Sequence, residues 1–256
     1  MKPTYSVQSE YELFRDMKDN FSHNSPLYAQ YRPSYPQEVF DFLKTILPGR
    51  ERVWDCATGT GQIAEKLVDL FDEVEGTDLS KNQLRYAFPH PKIRYTKQLA
   101  EQTDFPDNHF DCITVGQAIH WFDFDKFYAE AKRVLKPDGL LIVLGYGNIQ
   151  MANEEVIRVV SKLSSEILEG YWDPERQYID DNYENIPFPF EELSHPDFFI
   201  RDTWRREQLM GYLNTWSAVK HYKDMHEMNP IDLIIPELPD FHEVEITFPV
   251  LLRIGK

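Results

Sequence analysis

The sequence predicts an α/β protein in which helices cover both faces of a mostly parallel β-sheet. Between residues 37 and 150, short apolar runs alternate with amphipathic segments of helical periodicity. The run at residues 140–146 is almost continuously apolar, which is typical of a parallel strand buried on both faces. In the stretch Arg52-Val53-Trp54-Asp55-Cys56-Ala57-Thr58-Gly59-Thr60-Gly61, an apolar run ends in an acid and a small-residue loop. This pattern predicts a strand, a tight turn and a helix, the place where open α/β sheets bind nucleotides.

The elements of this core follow one another in a regular order. Residues 37–47 predict a helix that ends at Pro48-Gly49, and Ser80 is a good N-cap for a later helix. The predicted strands are residues 52–56, 74–78, 93–95, 110–116 and 140–146, and the other predicted helices are residues 62–71 and 123–135.

The pattern changes outside this core. Residues 154–171 predict a long amphipathic helix, whereas residues 172–193 are rich in Pro, Tyr and acidic residues and allow no assignment. A strand at 198–203, a helix at 207–221 and an alternating final strand at 244–254 are predicted next. Before the core, residues 1–20 carry a loose apolar stripe at helical spacing. Residues 21–36 predict either a proline-stiffened connector or a segment that folds over the mouth of a site and offers Tyr31 and Arg32 to a ligand.

Composition and charge restrict the class of function. The chain has 256 residues, of which 42% are hydrophobic, so a substantial core is expected. A net charge of −16 argues against a nucleic-acid partner, because binding a phosphate backbone needs a basic face. No apolar run approaches about eighteen residues, so no membrane span is expected. We expect a small-molecule partner and leave monomer and dimer open.

The cysteines and the first residues indicate the compartment. Cys56 and Cys112 make no disulfide framework and no metal cluster, and we expect both thiols to be buried and reduced. Residues 1–20 lack the apolar core of a signal peptide. Both observations favour a cytoplasmic protein. The histidines lack the spacing of metal ligands, so no metal site is predicted.

The glycine loop allows two interpretations. Gly59-Thr60-Gly61-Gln62-Ile63-Ala64, with Asp78 further on, fits the fingerprint of a nicotinamide dinucleotide site and hence a dehydrogenase. The other interpretation also uses Asp55, which lies where it can face a cationic amino-acid ligand. Asp78 then accepts hydrogen bonds from two ribose hydroxyls, because a carboxylate accepts without donating.

Four motifs in the correct order resemble the class I S-adenosylmethionine-dependent methyltransferases. They are Asp55-x-Ala57-x-Gly59-x-Gly61, Asp78-Leu79-Ser80, Phe105-Pro106-Asp107-Asn108-x-Phe110-Asp111 and Leu135-Lys136-Pro137-Asp138-Gly139. The resemblance covers roughly residues 37–146. It implies a Rossmann-like, seven-stranded, mostly parallel sheet with an antiparallel last strand, helices on both faces and a substrate cap. It also implies S-adenosyl-L-methionine as the cofactor.

The same resemblance implies a set of cofactor-binding residues: Asp55, Ala57, Thr58, Gly59, Gly61, Asp78, Leu79, Ala100, Glu101 and Gln117. Two positions depart from the family pattern. Ala57 replaces the first loop glycine, which is tolerable if its φ angle is negative. Leu99 lies where the family often has an acid near the adenine, so adenine recognition is expected from backbone groups around Ala100 and from Glu101.

A narrower resemblance concerns the substrate. Tyr31-Arg32-Pro33-Ser34-Tyr35-Pro36, Ala118-Ile119-His120-Trp121-Phe122-Asp123 and Thr215-Trp216-Ser217-Ala218 look like the trans-aconitate and cantharidin-type small-molecule methyltransferases. That branch methylates carboxylates of small organic acids, so the expected reaction is methyl transfer to a carboxylate oxygen. The substrate-binding residues implied are Tyr31, Arg32, His120, Trp121, Tyr146 and Trp216.

His120 is the candidate catalytic residue. It follows a strand at the carboxyl edge of the sheet, where a histidine can hold an acidic substrate or deprotonate a hydroxyl. Its other interpretation is a histidine that only shapes the loop. Arg32 is an anion clamp or, equally, one partner in a surface ion pair. Trp121 and Trp216 are otherwise packing residues.

The expected organisation has four parts: an N-terminal cap segment at 1–36, the cofactor-binding core at 37–150, cap helices and an insertion at 151–222, and a C-terminal strand region at 223–256. Three alternatives to carboxylate methylation stay open. They are O- or N-methylation of an aromatic metabolite, a non-catalytic S-adenosylmethionine-binding regulatory domain and, most remotely, an NAD-dependent dehydrogenase.

Overall fold

A computed structural model describes residues 30–256. The α-helices are α1 Gln37–Ile46, α2 Gln62–Leu67, α3 Lys81–Arg85, α4 Phe124–Val134, α5 Glu154–Lys162, α6 Arg176–Asp180, α7 Arg206–Leu213 and α8 Ser217–His226. The strands are β1 Arg52–Cys56, β2 Glu73–Asp78, β3 Ile93–Lys97, β4 Phe110–Gly116, β5 Leu135–Tyr146, β6 Gln150–Met151, β7 Phe199–Trp204 and β8 Val244–Gly255. The helical stripe expected in residues 1–20 lies outside the described residues.

The strands form one mixed sheet in the order β3-β2-β1-β4-β5-β8-β6, with β7 also paired to β8. The five strands from β3 to β5 are parallel to one another, and β8 is antiparallel to each of its partners. The predicted mostly parallel sheet with an antiparallel last strand is confirmed. The two-residue strand β6 adds an eighth strand to the seven expected.

Two hydrophobic clusters lie on the two faces of this sheet. Neighbouring residues of β1 alternate between them, since Val53 belongs to one cluster and Trp54 to the other. Helices α1, α2, α5, α7 and α8 supply buried side chains to the first cluster, and α4 and α6 supply the second. Cys112 lies in the first cluster and Cys56 in the second, so the two buried thiols face opposite layers.

The region after residue 150 differs most from its prediction. The helix expected at 207–221 is two helices, because Trp216 takes an extended backbone and caps α8. The helix expected at 154–171 ends earlier, in the π-helix Leu163–Ile167. Strand β7 lies in the sheet, so residues 199–204 of the expected cap segment belong to the core.

Within residues 30–256, no helix is both long and apolar enough to cross a membrane. The same residues contain no group of three or more His, Cys, Asp and Glu side chains that could hold a metal ion.

Candidate active site

The glycine loop joins the buried strand β1 to helix α2. The amide of Thr58 donates to the carbonyl of Thr77 at 2.8 Å, which ties the loop to the end of the neighbouring strand β2. Gly59 and Gly61 have φ angles of 58° and 83°, and Gly61 is the N-cap of α2. A left-handed backbone costs glycine little, so the small-residue sequence explains the tight turn.

Ala57 also has a left-handed backbone but, unlike Gly59 and Gly61, it carries a Cβ. Its φ angle is 54°, so the condition under which alanine was expected to be tolerable is not met. A left-handed residue with a Cβ costs about 1–2 kcal/mol. The loop holds this strain at a residue that lines a cavity at the carboxyl ends of the strands.

We therefore expect Ala57→Gly to raise the free energy of unfolding. Relief of about 1–2 kcal/mol outweighs the larger entropy that glycine loses on folding, about 0.5–1 kcal/mol. Chemical denaturation should show a net gain of about 0.5–1 kcal/mol. Ala64→Gly, inside helix α2, is the control and should lose about 1 kcal/mol. A loss in both variants would contradict strain at Ala57.

Asp78 ends strand β2 beside the loop. One of its carboxylate oxygens accepts from the amide of Gly59 at 2.9 Å, and the other accepts from the amide of Ser80 at 2.8 Å. Ser80 also caps α3, as the sequence predicts, by accepting from the amide of Gln83. The carboxylate thus has a fixed orientation, and Asp78 lines the same cavity as Ala57.

Asp55 is buried at the end of β1, with 1% of its surface exposed. Its two oxygens accept hydrogen bonds from the hydroxyls of Thr58 and Thr114. Burial raises the pKa of the carboxyl from 3.8 to about 6, although these hydrogen bonds oppose the shift. Asp55 therefore anchors the loop to strand β4 as well as lining the cavity.

The raised pKa of Asp55 predicts a pH-dependent stability difference from Asp55→Asn. A carboxyl whose folded pKa is raised stabilises the protein below about pH 4, and that contribution is lost as the pH rises through about 6. Two pKa units correspond to about 3 kcal/mol. The variant should match wild type near pH 4 and exceed it by up to about 3 kcal/mol at pH 7. A difference that is independent of pH would refute the prediction.

A cavity of about 460 Å³ opens around these groups at the carboxyl ends of the strands. Its volume is in the usual range for a small-molecule site. Of the predicted cofactor-binding residues, the ones that line it are Asp55, Ala57, Thr58, Gly59, Asp78, Leu79, Ala100, Glu101 and Gln117. The sequence did not single out Thr60, Gln62, Gln83, Lys97, Gln98 and Phe122, which also line it.

Gly61 is the member of the predicted set that the lining does not include. A Cβ on this residue would lie 2.3 Å from the hydroxyl oxygen of Tyr95, and its φ angle is left-handed. The residue is glycine because helix α2 begins there against a tyrosine ring.

Gln117 lies between strands β4 and β5 with a left-handed φ of 52°. Its side-chain oxygen accepts from the amide of Tyr146 at 2.8 Å, and its side-chain nitrogen donates to the carbonyl of Tyr146 at 3.3 Å. The amide expected to contact cofactor or substrate therefore binds the backbone at the end of β5.

A second cavity of about 60 Å³ adjoins the first. The two share the lining residues Arg32, Gln117, Trp121 and Tyr146. His120, Trp172, Asp173, Arg176, Ile179, Tyr212, Trp216 and Ser217 are among the residues that line the second cavity. We call the larger space the cofactor-side cavity and the smaller one the acceptor-side cavity.

Arg32 joins the N-terminal part of the described chain to strand β5 and to the turn between helices α7 and α8. Its guanidinium donates to the hydroxyl of Tyr146 and to the carbonyl of Thr215, both at 3.0 Å. The same group lies 5.5 Å from the ring centre of Tyr212. These contacts hold a positive charge at the border of the two cavities.

His120 lies in the acceptor-side cavity with 5% of its surface exposed. Its Nδ1 is 3.2 Å from the hydroxyl of the buried Tyr183. Burial and, to a smaller extent, the charges of Arg176 and Arg32 together lower the pKa of the imidazole from 6.5 to about 3. At neutral pH the ring is uncharged, so it offers hydrogen bonds rather than a positive charge.

The remaining predicted substrate residues divide into two groups. Trp121, Tyr146 and Trp216 line the acceptor-side cavity. Tyr31 is not among the lining residues of either cavity, and its ring packs where a Cβ on Gly211 of helix α7 would lie, at 2.4 Å.

Several site residues were missed because they lie in the stretch without periodicity, and three of them carry polar groups. Asp173 and Arg176 line the acceptor-side cavity, and Tyr183 contacts His120. Tyr183 packs on strand β5, where a Cβ on Gly145 would lie 2.6 Å from its ring. The acidic, aromatic composition of residues 172–193 was the available signal, but it does not indicate which side chain faces the core.

The fold and the site together define a class of protein. An acid at the end of β2 and a tight loop after β1 face one cavity, at the edge of the sheet where a nucleotide-like ligand binds. The oriented, acceptor-only Asp78 suits a pair of ribose hydroxyls. With the sequence motifs, this arrangement is that of an S-adenosylmethionine-dependent methyltransferase.

Comparison with known proteins agrees with this class. A family model described as a methyltransferase domain matches residues 54–143. An uncharacterized methyltransferase of Mycobacterium tuberculosis is 33% identical over 179 residues, 69% of this chain and 68% of the other. A protein of Dictyostelium discoideum that is named as a methyltransferase is 29% identical over 253 residues, covering 93% and 95% of the two chains.

A solved structure extends the agreement to the whole fold. A protein of Anaeromyxobacter dehalogenans, named as a type II methyltransferase, superposes with a TM-score of 0.79 and 34% identity over 88% of this chain and 98% of that one. The chain belongs to the methyltransferase family, and its cofactor is S-adenosylmethionine. This membership decides between the two interpretations of the glycine loop: the loop belongs to an S-adenosylmethionine site, and the dehydrogenase interpretation is excluded.

Proposed function

We propose that this methyltransferase acts on a small organic acid and methylates a carboxylate oxygen. The observation that carries the proposal is an acceptor-side cavity lined by the buried, neutral His120 and by Arg32. Arg176 also lines the cavity and is paired with Asp180. A general base works best when its pKa lies near the working pH, and the pKa of His120, about 3, is far below it. A carboxylate is already ionised at neutral pH and needs no base.

In this mechanism the chain's residues bind and orient the reactants. When bound, S-adenosylmethionine supplies an electrophilic methyl group on a positively charged sulfur. Asp78 and the loop hold the cofactor side, and the planar fork of Arg32 binds the acceptor carboxylate at the border between the cavities. Well-aligned reactants gain about 7–11 kcal/mol from positioning, which is enough to carry most of the catalysis.

The three substrate motifs support this acceptor class by where they meet. Arg32, His120 and Trp216 come from distant parts of the sequence and line the same cavity. They are the residues on which the resemblance to the trans-aconitate and cantharidin-type enzymes depends. Helices α5, α6, α7 and α8, together with the segment around Arg32, form the proposed cap.

An aromatic acceptor is the second candidate, because the aromatic side chains Trp121, Trp172, Tyr212 and Trp216 also line the acceptor-side cavity. Such rings suit a planar substrate. A phenol, however, must lose its proton, and a histidine whose pKa is about 3 is a poor base for that step. The two adjoining cavities, with Arg32 and His120 on their walls, count against a purely regulatory domain.

A panel of acceptors separates these candidates. The purified chain with S-adenosylmethionine is incubated with short carboxylic acids, phenols and amines, and S-adenosylhomocysteine and the methylated product are measured by mass spectrometry. We expect methyl esters, which alkali hydrolyses, from the acids. Turnover of phenols or amines with inert acids would contradict a carboxylate acceptor. Binding of S-adenosylhomocysteine without turnover of any acceptor would favour the regulatory alternative.

A further inference from the structure

Tyr183 places a buried hydroxyl group beside His120, and the proposed mechanism assigns it no role. The tyrosine is 0% exposed, and its hydroxyl oxygen lies 3.2 Å from Nδ1 of the imidazole. Tyr183 lines neither cavity, whereas His120 lines the acceptor-side cavity. Nδ1 is therefore held from the protein interior, and Nε2 is the ring nitrogen left to meet a ligand in the cavity.

The backbone that carries this tyrosine has an uncommon conformation. Asn182 and Tyr183 have left-handed φ angles of 52° and 64°, which residues other than glycine seldom adopt. Packing holds the turn, because the amide of Tyr183 donates to the carbonyl of Tyr178 at 2.7 Å. The ring lies against strand β5, where a Cβ on Gly145 would be 2.6 Å away. Such strained positions cluster at functional sites.

Arg253 of strand β8 fixes the same turn from the other side. Its guanidinium donates to the carbonyls of Tyr183 at 3.2 Å and Ile186 at 2.7 Å. The group also lies 4.4 Å from the ring centre of Phe188 and is paired with Glu192 at 2.7 Å. The turn is therefore tied to the core sheet, and the phenol keeps one position relative to β5 and β8.

The chemistry of the two groups decides which of them donates the hydrogen bond. A neutral imidazole has one N–H donor and one bare nitrogen that accepts, whereas a phenol hydroxyl can do either. The bare nitrogen is basic, with an ordinary pKa of about 6.5, and a phenol is an acid with an ordinary pKa of about 10. The hydroxyl of Tyr183 is therefore the better donor and Nδ1 of His120 the better acceptor. Since burial keeps the ring neutral at pH 7, its one proton lies on Nε2.

We propose that Tyr183 is a positioning residue, which donates to Nδ1 of His120 and holds the imidazole as the Nε2–H tautomer, so that Nε2–H donates to the carboxylate of the acceptor. This inference rests on the proposed function and adds the residue that prepares His120 for it. The hydrogen bond at one ring nitrogen sets the protonation of the other. In the opposite tautomer a bare nitrogen would face an anionic oxygen, and two acceptors repel each other.

A spectroscopic test needs no acceptor. The ¹⁵N resonances of the histidine rings at pH 7 distinguish the two tautomers, and those of His120 are assigned by their absence in His120→Gln. We expect the Nε2–H pattern in wild type and a mixture of both tautomers in Tyr183→Phe, which removes only the hydroxyl. Tyr128→Phe is the control, because Tyr128 lies in the same hydrophobic cluster, donates to the carbonyl of Pro187 and lines neither cavity. Its spectrum should be that of wild type.

Kinetics show whether the tautomer matters for the reaction. Tyr183→Phe should lower the kcat/KM for the best organic acid by about three- to tenfold, mainly through KM, because a binding group loses its orientation. Tyr128→Phe should keep the wild-type kcat/KM. Both variants lose a buried hydroxyl that has a partner, so similar melting temperatures would separate positioning from stability.

The wild-type spectrum decides the tautomer without any change at Tyr183. An Nδ1–H pattern in wild type, or a wild-type spectrum in Tyr183→Phe, would overturn the positioning role for any acceptor. Equal losses of kcat/KM in Tyr183→Phe and Tyr128→Phe would also overturn it. An Nε2–H pattern that depends on Tyr183, together with inert organic acids, would support the held tautomer and overturn the proposed function.

Discussion

Asp78→Ala is expected to weaken S-adenosylhomocysteine binding by about 1–3 kcal/mol, a factor of about 5–150. The carboxylate lies at the edge of the cofactor-side cavity, where the amides of Gly59 and Ser80 orient its two oxygens. Removing it takes away the acceptors proposed for the ribose hydroxyls and releases the two amides. Titration calorimetry measures the change directly.

Two controls show which property of Asp78 matters. Asp78→Asn keeps the shape but places an amide donor against one of the two backbone N–H groups, so it should lose nearly as much affinity. Asp138→Ala removes a carboxylate whose side chain is 79% exposed and should leave the affinity unchanged. Wild-type affinity in Asp78→Ala would mean that the ribose binds elsewhere.

Among the substitutions at the acceptor-side cavity, Arg32→Met is expected to cause the largest loss of kcat/KM for the acceptor. The guanidinium of Arg32 bridges Tyr146 and Thr215 at the border of the two cavities and supplies the positive charge that attracts a carboxylate. Removing one partner of a buried, hydrogen-bonded charge pair costs about 2–5 kcal/mol. The kcat/KM for the best organic acid should therefore fall by a factor of about 30 or more, while S-adenosylhomocysteine binding changes far less.

Conservative variants sharpen this prediction. Arg32→Lys keeps the charge but cannot bridge both partners, so it should recover only part of the activity. Tyr146→Phe removes the hydroxyl that orients the guanidinium and should cost about fivefold. If Arg32→Met methylates acids at the wild-type rate, the arginine is a packing residue and the acceptor carboxylate binds elsewhere.

The cofactor side of the molecule could be predicted because its signals are local. Strand β1, the glycine loop and the N-cap Ser80 each depend on neighbouring residues, and the structure places them as expected. Even here, the backbone angle of Ala57 is decided by the turn around it and not by its own preference. The hydrogen bonds of Gln117 likewise depend on the end of β5, 29 residues away.

The acceptor side was less predictable because its contacts join distant residues. His120 and Tyr183 are 63 positions apart, and Arg32 and Thr215 are 183 apart. Motif resemblance found Arg32, His120 and Trp216, but no periodicity marks Arg176 or Tyr183. The protonation state of His120 follows from its burial among arginines, which requires the folded chain.

The most direct test of the carboxylate mechanism is the pH dependence of kcat/KM with an organic acid, from about pH 7 to about pH 9, in wild type and His120→Gln. A neutral histidine that only donates or accepts a hydrogen bond, with an acceptor that is already ionised, predicts a flat profile over this range for both proteins. The contrary result is a wild-type rate that rises with pH as a single group loses its proton, together with a flat profile in His120→Gln. That result would make His120 a general base and contradict the carboxylate mechanism.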